Sequence, residues 1–293
     1  MVSNKYDMAF ELWSSFREEV MFCHRFFPSH PFLDKLRTIV EKCELRVERG
    51  EIYYRARIID DQVAQKEHMV AKCYGKDSTE EDRKWYLSKD NKFRGLTKEG
   101  SYVPPNPMMI RDGRSNPKYI RFLYMAESPI TAIFEVRPIL YSAINVSEIE
   151  VKEPLRIANI AVSIDPKQEK SVDEWLLSFI QSAFSSPVNN PDDYIPSQII
   201  AEYISRLGYD GIKYNSSLHQ GGFNLTVFDV MKCEPISSTD LRLENIKISL
   251  RPAIGANNKD GGFEYIIDNI PMSLDKEKGI IDTNGSTKPF EDK

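Results

Sequence analysis

RDGRSNPKYIRFLYMAESPITAIFEVRPILY, residues Arg111 to Tyr141, is the stretch whose reading decides the fold. A turn-rich basic loop, Asp112-Gly113-Arg114-Ser115-Asn116-Pro117, leads into an apolar run from Tyr119 to Ala126. The length and the aromatic and branched content of that run predict a buried strand. Ser128-Pro129 then predicts a helix start, because a serine hydroxyl accepts from the first free N–H groups and proline at the next position needs none. On that helix Ile130, Ile133 and Phe134 fall at core spacing, while Thr131 and Glu135 lie one turn apart on another face. An arginine ahead of the strand and a glutamate on the helix after it can bracket a ligand that carries both phosphate and a centre where charge develops.

Upstream, Glu51 to Ile59 (EIYYRARII) alternates as a strand, with Tyr53, Arg55 and Arg57 on one face and Ile52, Tyr54, Ala56 and Ile58 on the other. Two arginines facing the same way inside a strand are costly to bury without anionic partners, so they mark either a solvated face or an anion site. Residues 5 to about 48 show helical spacing in two pieces, Phe10-Trp13-Phe16 and Phe32-Leu33-Leu36-Ile39-Val40, and are expected to form a helical region packed on the rest of the chain. Asp60 to Asn91 is polar, with Trp85, Tyr86 and Leu87 as its expected anchor. Phe93 to Pro117 is broken by Pro104, Pro105, Pro107, Gly95, Gly100 and Gly113 into an ordered loop.

Downstream, strands are expected at Ala143–Val151, Leu155–Val162, Tyr209–Tyr214, Phe223–Val230, Leu241–Leu250 and Gly262–Asp268, with helices at Val172–Phe184 and Ile195–Leu207 closed by Gly208. Short strands with a few helices predict an α+β domain with a mixed or antiparallel β core and flanking helices. The expected organisation is a helical region over 1–48, the main domain over 49–270 and a polar tail over 271–293.

Composition narrows the function. The 293 residues are 41% hydrophobic and 28% charged with a net charge of −5, so no global charge favours direct nucleic-acid binding. No apolar run approaches the roughly 20 residues that span a bilayer, and the N-terminus lacks a signal peptide's basic start and apolar middle. Cys23, Cys43, Cys73 and Cys233 are scattered, which argues against a metal site or a disulfide framework and fits a cytoplasmic protein. Neither GxxxxGK[ST] nor GxGxxG occurs. Arg17 and His24 are separated by six residues, the spacing of the HEPN-type ribonucleases, yet a full HEPN bundle needs more helix than this region offers.

The motifs YYRAR, GRSNPKYIRFLYMAESPITAIFEVRP and SQIIAEYISRLGYDGIKYNSSLHQGGFNLTVFD, in that order over roughly Glu51 to Leu250, resemble the RES family, in a longer form with an N-terminal helical extension. The resemblance implies an ADP-ribosyltransferase-like fold and a toxin that degrades NAD, paired with an Xre-like antitoxin. It places the first motif's arginine on Arg55, with Arg57 its neighbour, and a second basic ligand on Arg114 in the turn that ends Asn116-Pro117. It places the tyrosine on Tyr124, the glutamate on Glu135 and the serine on Ser216, with Ser217 beside it. Glu135, Arg55 and Ser216 are thereby the expected catalytic set, and Arg55, Arg57, Arg114, Asn116, Tyr124, Ser216 and Ser217 the expected ligand contacts. NAD is expected as substrate, with no true cofactor and no metal; a homo-oligomer is an open expectation.

The chemistry suits those residue types. Breaking NAD's nicotinamide–ribose bond builds positive charge on the ribose, which a nearby carboxylate stabilises. Arginine's planar donor fork matches a pyrophosphate. Three other outcomes use the same residues or none of them: transfer of ADP-ribose to a macromolecule, nucleotide binding without turnover, and a ribonuclease resting on Arg17 and His24.

Overall fold

In the computed structural model, which describes residues 4–59, 92, 93, 96, 98–164, 169–186, 188 and 190–244, the Ser128-Pro129 signal opens a helix as expected. Ser128 accepts from the Thr131 backbone N–H at 3.2 Å and Pro129 takes the first helical position. This helix, α3 (Pro129–Glu135), follows strand β3 (Leu123–Ala126). The strand is shorter than the apolar run predicted. Tyr119 has φ 74°, a left-handed conformation that no strand residue adopts, so Tyr119 to Phe122 stay outside the ladder. Phe134 is also not a core residue; it is 44% exposed, and Thr131 and Ala132 are the buried side chains of α3.

Eight strands among the described residues form one sheet: β1 (Glu44–Val47), β2 (Ile52–Ile59), β3, β4 (Ala143–Val151), β5 (Leu155–Asn159), β6 (Gly211–Asn215), β7 (Phe223–Val227) and β8 (Cys233–Arg242). Their order is β1-β5-β6-β7-β3-β2-β4-β8. Only β5 and β6 pair in parallel. A parallel pair needs a long crossover, which here carries α4 (Val172–Ser185) and α5 (Ile195–Arg206). Ser171 and Glu174 cap α4 reciprocally through side-chain and backbone bonds.

β5 and β7 end three residues short of the expected bounds and β6 starts two residues late; two other differences are larger. Residues 44–47 are an edge strand on β5 rather than the end of a helix; α2 (Pro31–Lys42) stops before them. β8 starts at Cys233, well before Leu241, across a Pro-Ile-Ser-Ser run that hides its alternation. Pro235 is tolerated because β8 is an edge strand and the β4 register shifts by a bulge at Glu148/Ile149. The expected anchor Trp85-Tyr86-Leu87, the strand over 262–268 and the tail lie outside the described residues.

The two helical pieces are α1 (Asn4–Glu18), extended by a π-helical turn (Glu19–Cys23), and α2. They share one hydrophobic core with α4, α5 and the helix-side face of β5 and β6. Phe16, Phe32, Leu36, Leu176, Ile180 and Phe184 are fully enclosed in it. A much smaller cluster, Ala56, Ala126, Ala132, Ile144 and Val146, seats α3 on β2, β3 and β4.

Candidate active site

β2 and β3 are registered at a single pair, Tyr54 with Ala126, and then part. A cavity of about 300 Å³ opens there, lined by β2 (Tyr54, Arg55, Ala56), β3 (Tyr124, Met125, Ala126), α3 (Ala132, Glu135, Val136), Tyr214 and Asn224. The volume is at the lower end for small-molecule sites.

Arg55 bridges the gap. Its guanidinium donates to the Tyr124 carbonyl at 2.9 Å in place of ladder bonds, and its Nε is buried with no partner among the described residues. Burial, reinforced by the Arg57 charge two residues on, pulls its pKa down to about 10. A buried cation with donor capacity left over favours an anionic partner. Arg57 lies on the same side of β2 and donates to the Tyr102 carbonyl; burial lowers its pKa too. It does not line the cavity.

The turn from Gly113 to Pro117 is built around Tyr124. The Tyr124 hydroxyl donates to Asn116 Oδ1 at 2.6 Å and accepts from the Ser115 N–H at 2.9 Å. Burial, tempered by hydrogen bonds from Ser115 and from the Asn116 backbone, raises its pKa to about 12. Asn116 is 2% exposed, and its Nδ2 donates to the carbonyls of Arg111, Pro117 and Ile120, so its amide is consumed within the turn. A Cβ on Gly113 would lie 2.6 Å from Asn116 Oδ1 and 2.7 Å from the Tyr124 hydroxyl, so only glycine fits there. Arg114 points away from the cavity lining: it donates to the Ser186 carbonyl at 2.6 Å, with its guanidinium 5.7 Å from the Tyr194 ring centroid.

Glu135 ends α3 at the cavity wall, and its Oε1 accepts from Ser216 Oγ at 2.6 Å and from Asn224 Nδ2 at 2.7 Å. The other oxygen, Oε2, has no bond to a described residue. The arrangement is a carboxylate held in one orientation by two donors with one oxygen spare. Ser216 in turn accepts from the Leu218 and His219 N–H groups, which ties it to the loop it begins. Ser217 lines nothing here. Arg137, two residues on from Glu135, has left-handed φ 48° and is exposed. Among the described residues no cluster of three metal-ligating side chains occurs, and no helix is long and apolar enough to cross a membrane.

Arg55, Tyr124 and Glu135 therefore meet at one cavity, with Ser216 reaching it through Glu135. Arg57, Arg114, Asn116 and Ser217 do not line it. Sequence alone does not single out Asn224 or Tyr214. Asn224 sits within FNLTV, an apolar-looking strand, and only the pairing of β7 with both β3 and β6 aims it at Glu135. Arg17 and His24 are exposed on and just after α1 and take no part in the cavity.

None of the curated proteins matches the chain. Among solved structures, the toxin–antitoxin complex MbcT–MbcA of M. tuberculosis is similar at 14% identity, over 71% of this chain and 92% of that chain, with a TM-score of 0.33. The RES domain model matches residues 85–244, which takes in β3, α3 and the whole path from Glu135 to Ser216 and Asn224. β2 with Arg55 lies ahead of the matched residues and joins the site through the sheet. As that match spans more than half of the chain, the protein belongs to the RES domain family.

Proposed function

We propose that the protein is an NAD glycohydrolase-type enzyme that depletes NAD as a toxin or defence effector, held in check by an antitoxin protein of the Xre-like kind. The observation that carries the enzymatic part is that one cavity is lined both by Arg55, whose buried Nε has no partner among the described residues, and by Glu135, whose Oε2 has no bond to a described residue. Family membership and the motifs that carry it support the choice of NAD.

In this reading Arg55 takes the dianionic pyrophosphate, with Arg57 strengthening the local positive field. The ribose then lies toward Glu135. The bond from ribose C1′ to the nicotinamide nitrogen breaks, and its electron pair leaves with nicotinamide. Positive charge spreads over C1′ and the ring oxygen, where Glu135 stabilises it. Water adds to C1′ and loses a proton, so the products are nicotinamide, ADP-ribose and one proton. Ser216 and Asn224 hold Oε1, which leaves Oε2 to face the sugar without reorganising. A preset carboxylate of this kind acts in the transition state rather than in binding.

Incubating purified protein with NAD and measuring free nicotinamide and ADP-ribose tests the proposal. Glu135→Gln keeps the shape and removes the charge, so its turnover is expected to fall by about 10²–10³-fold. Full NAD cleavage by Glu135→Gln would refute this mechanism. Labelling of a protein or nucleic acid by tagged NAD would instead place the enzyme among the transferases.

A further inference from the structure

α3 presents Thr131, Phe134 and Glu135 on one face, at positions i, i+3 and i+4. The loop from Ser216 to Gly222 covers that face. Ser216 meets Glu135, and a single side chain, His219, meets the other two. His219 Nδ1 shares a hydrogen bond with Thr131 Oγ1 at 2.8 Å, and Thr131 Oγ1 is bonded to the Ser128 hydroxyl at 2.7 Å. The imidazole lies parallel to the Phe134 ring, with centroids 5.4 Å apart and planes 2° from coplanar. That stacking is why Phe134 can stand at the surface of a short helix.

The fit is close. A Cβ on Gly222 would come within 2.6 Å of Thr131 Oγ1 and 2.7 Å of His219 Nδ1, so the loop closes on α3 with no space to spare. The His219 N–H also donates to Ser216 Oγ at 3.1 Å. One residue thus orients the serine through its backbone and grips the glutamate's helix through its ring. Besides Ser216, Glu135 is held by Asn224 and by α3 itself, which is seven residues long and seated on a small apolar cluster.

We infer that His219 is a positioning residue of this site, bracing the Ser216–Gly222 loop against α3 so that Ser216 meets Glu135 Oε1 at the working distance. The inference rests on the reading of Glu135 as the group that acts on the ribose. Its physical basis is that small misplacements of a catalytic group cost rate steeply, whereas substrate affinity set at Arg55, across the cavity, is left alone.

The test compares His219→Ala, His219→Asn and Thr131→Val with the parent protein. Three quantities are measured: steady-state NAD cleavage, thermal melting, and hydrogen–deuterium exchange of the 216–222 loop and α3. His219→Ala is expected to lower kcat about tenfold or more while KM stays within about twofold. Asparagine can place a polar atom near the Nδ1 position, so His219→Asn is expected to recover much of the lost kcat. His219→Ala/Thr131→Val should lose less kcat than the product of the two single losses, because both singles remove the same His219–Thr131 bond. Unchanged kcat in His219→Ala would overturn the inference. So would equal losses of kcat and melting temperature in all three variants with no recovery by asparagine. If the parent protein leaves NAD intact, the proposed function fails, and the brace is judged by exchange alone. Faster exchange of the Leu218 amide in His219→Ala upholds the brace, and unchanged exchange removes it.

Discussion

The two faces of this molecule are held together by different physics. On the helical side, α1, α2, α4 and α5 bury large side chains such as Phe16, Phe32, Phe184 and Leu36 against β5 and β6. On the cavity side, α3 rests on a much smaller apolar cluster built on Ala56, Ala126, Ile144 and Val146, and hydrogen bonds from Ser216, Asn224 and His219 reach it from the strand and loop beside it. Tyr214 joins the two: its ring packs 5.8 Å from Phe184 in the helical core and also lines the cavity. The unpaired charge sits on the side of α3: Arg55 Nε has no partner among the described residues there. Active-site segments are commonly drawn from the less stable end of a fold.

Substitutions on each side sharpen that contrast. The largest expected effect is on the helical side. Phe16→Ala empties a fully buried ring site and should cost about 3–5 kcal/mol of unfolding free energy, read by denaturant titration. NAD turnover per folded molecule should be unchanged; a parallel loss of turnover would mean that the two sides are not separable. The next effect has the opposite sign. Arg55→Met removes a desolvated charge and should stabilise the fold by about 1 kcal/mol while weakening NAD binding. Destabilisation by Arg55→Met would mean that the bond to the Tyr124 carbonyl outweighs the cost of burying the charge.

The smallest effect lies at the joint between α2 and α4. There Asp173 takes Lys35 and Lys42 at 3.3 and 3.2 Å. Partial burial pushes the Asp173 carboxyl up, but the two lysines outweigh it and its folded pKa is lowered. A depressed carboxylate stabilises the fold above its unfolded pKa, and that stability is lost as pH falls through the folded value. Asp173→Asn should therefore lower the melting temperature slightly near neutral pH and converge with the parent protein in acid. A constant offset at all pH values would contradict the ion-pair account.

Much of this contrast is legible in the sequence, for reasons that are local. The Ser128-Pro129 start of α3, the alternation of β2 and the helical spacing of Phe32, Leu33, Leu36, Ile39 and Val40 all depend on residues near one another in the chain. Glu135 and Ser216 stand in family motifs, and the fold brings them to 2.6 Å. Asn224 and His219 lie inside the same motif as Ser216, but nothing in the motif's residue pattern gives either a role. Asn224 acquires its role only from the register of β7 between β3 and β6, and His219 only from a loop folding back on α3. Phe134 has the spacing of a core residue, while its actual partner, His219, lies 85 positions further along the chain. Long-range pairing of this sort leaves no periodic trace.

The central claim is that Arg55 and Glu135 act on one ligand from opposite sides of one cavity. Calorimetric titration of NAD into Glu135→Gln, with the reaction silenced, and into Glu135→Gln/Arg55→Met tests it most directly. Binding to the first with about tenfold or greater weakening in the second is the predicted result. Equal affinity in the two proteins, or no binding to either, would contradict it.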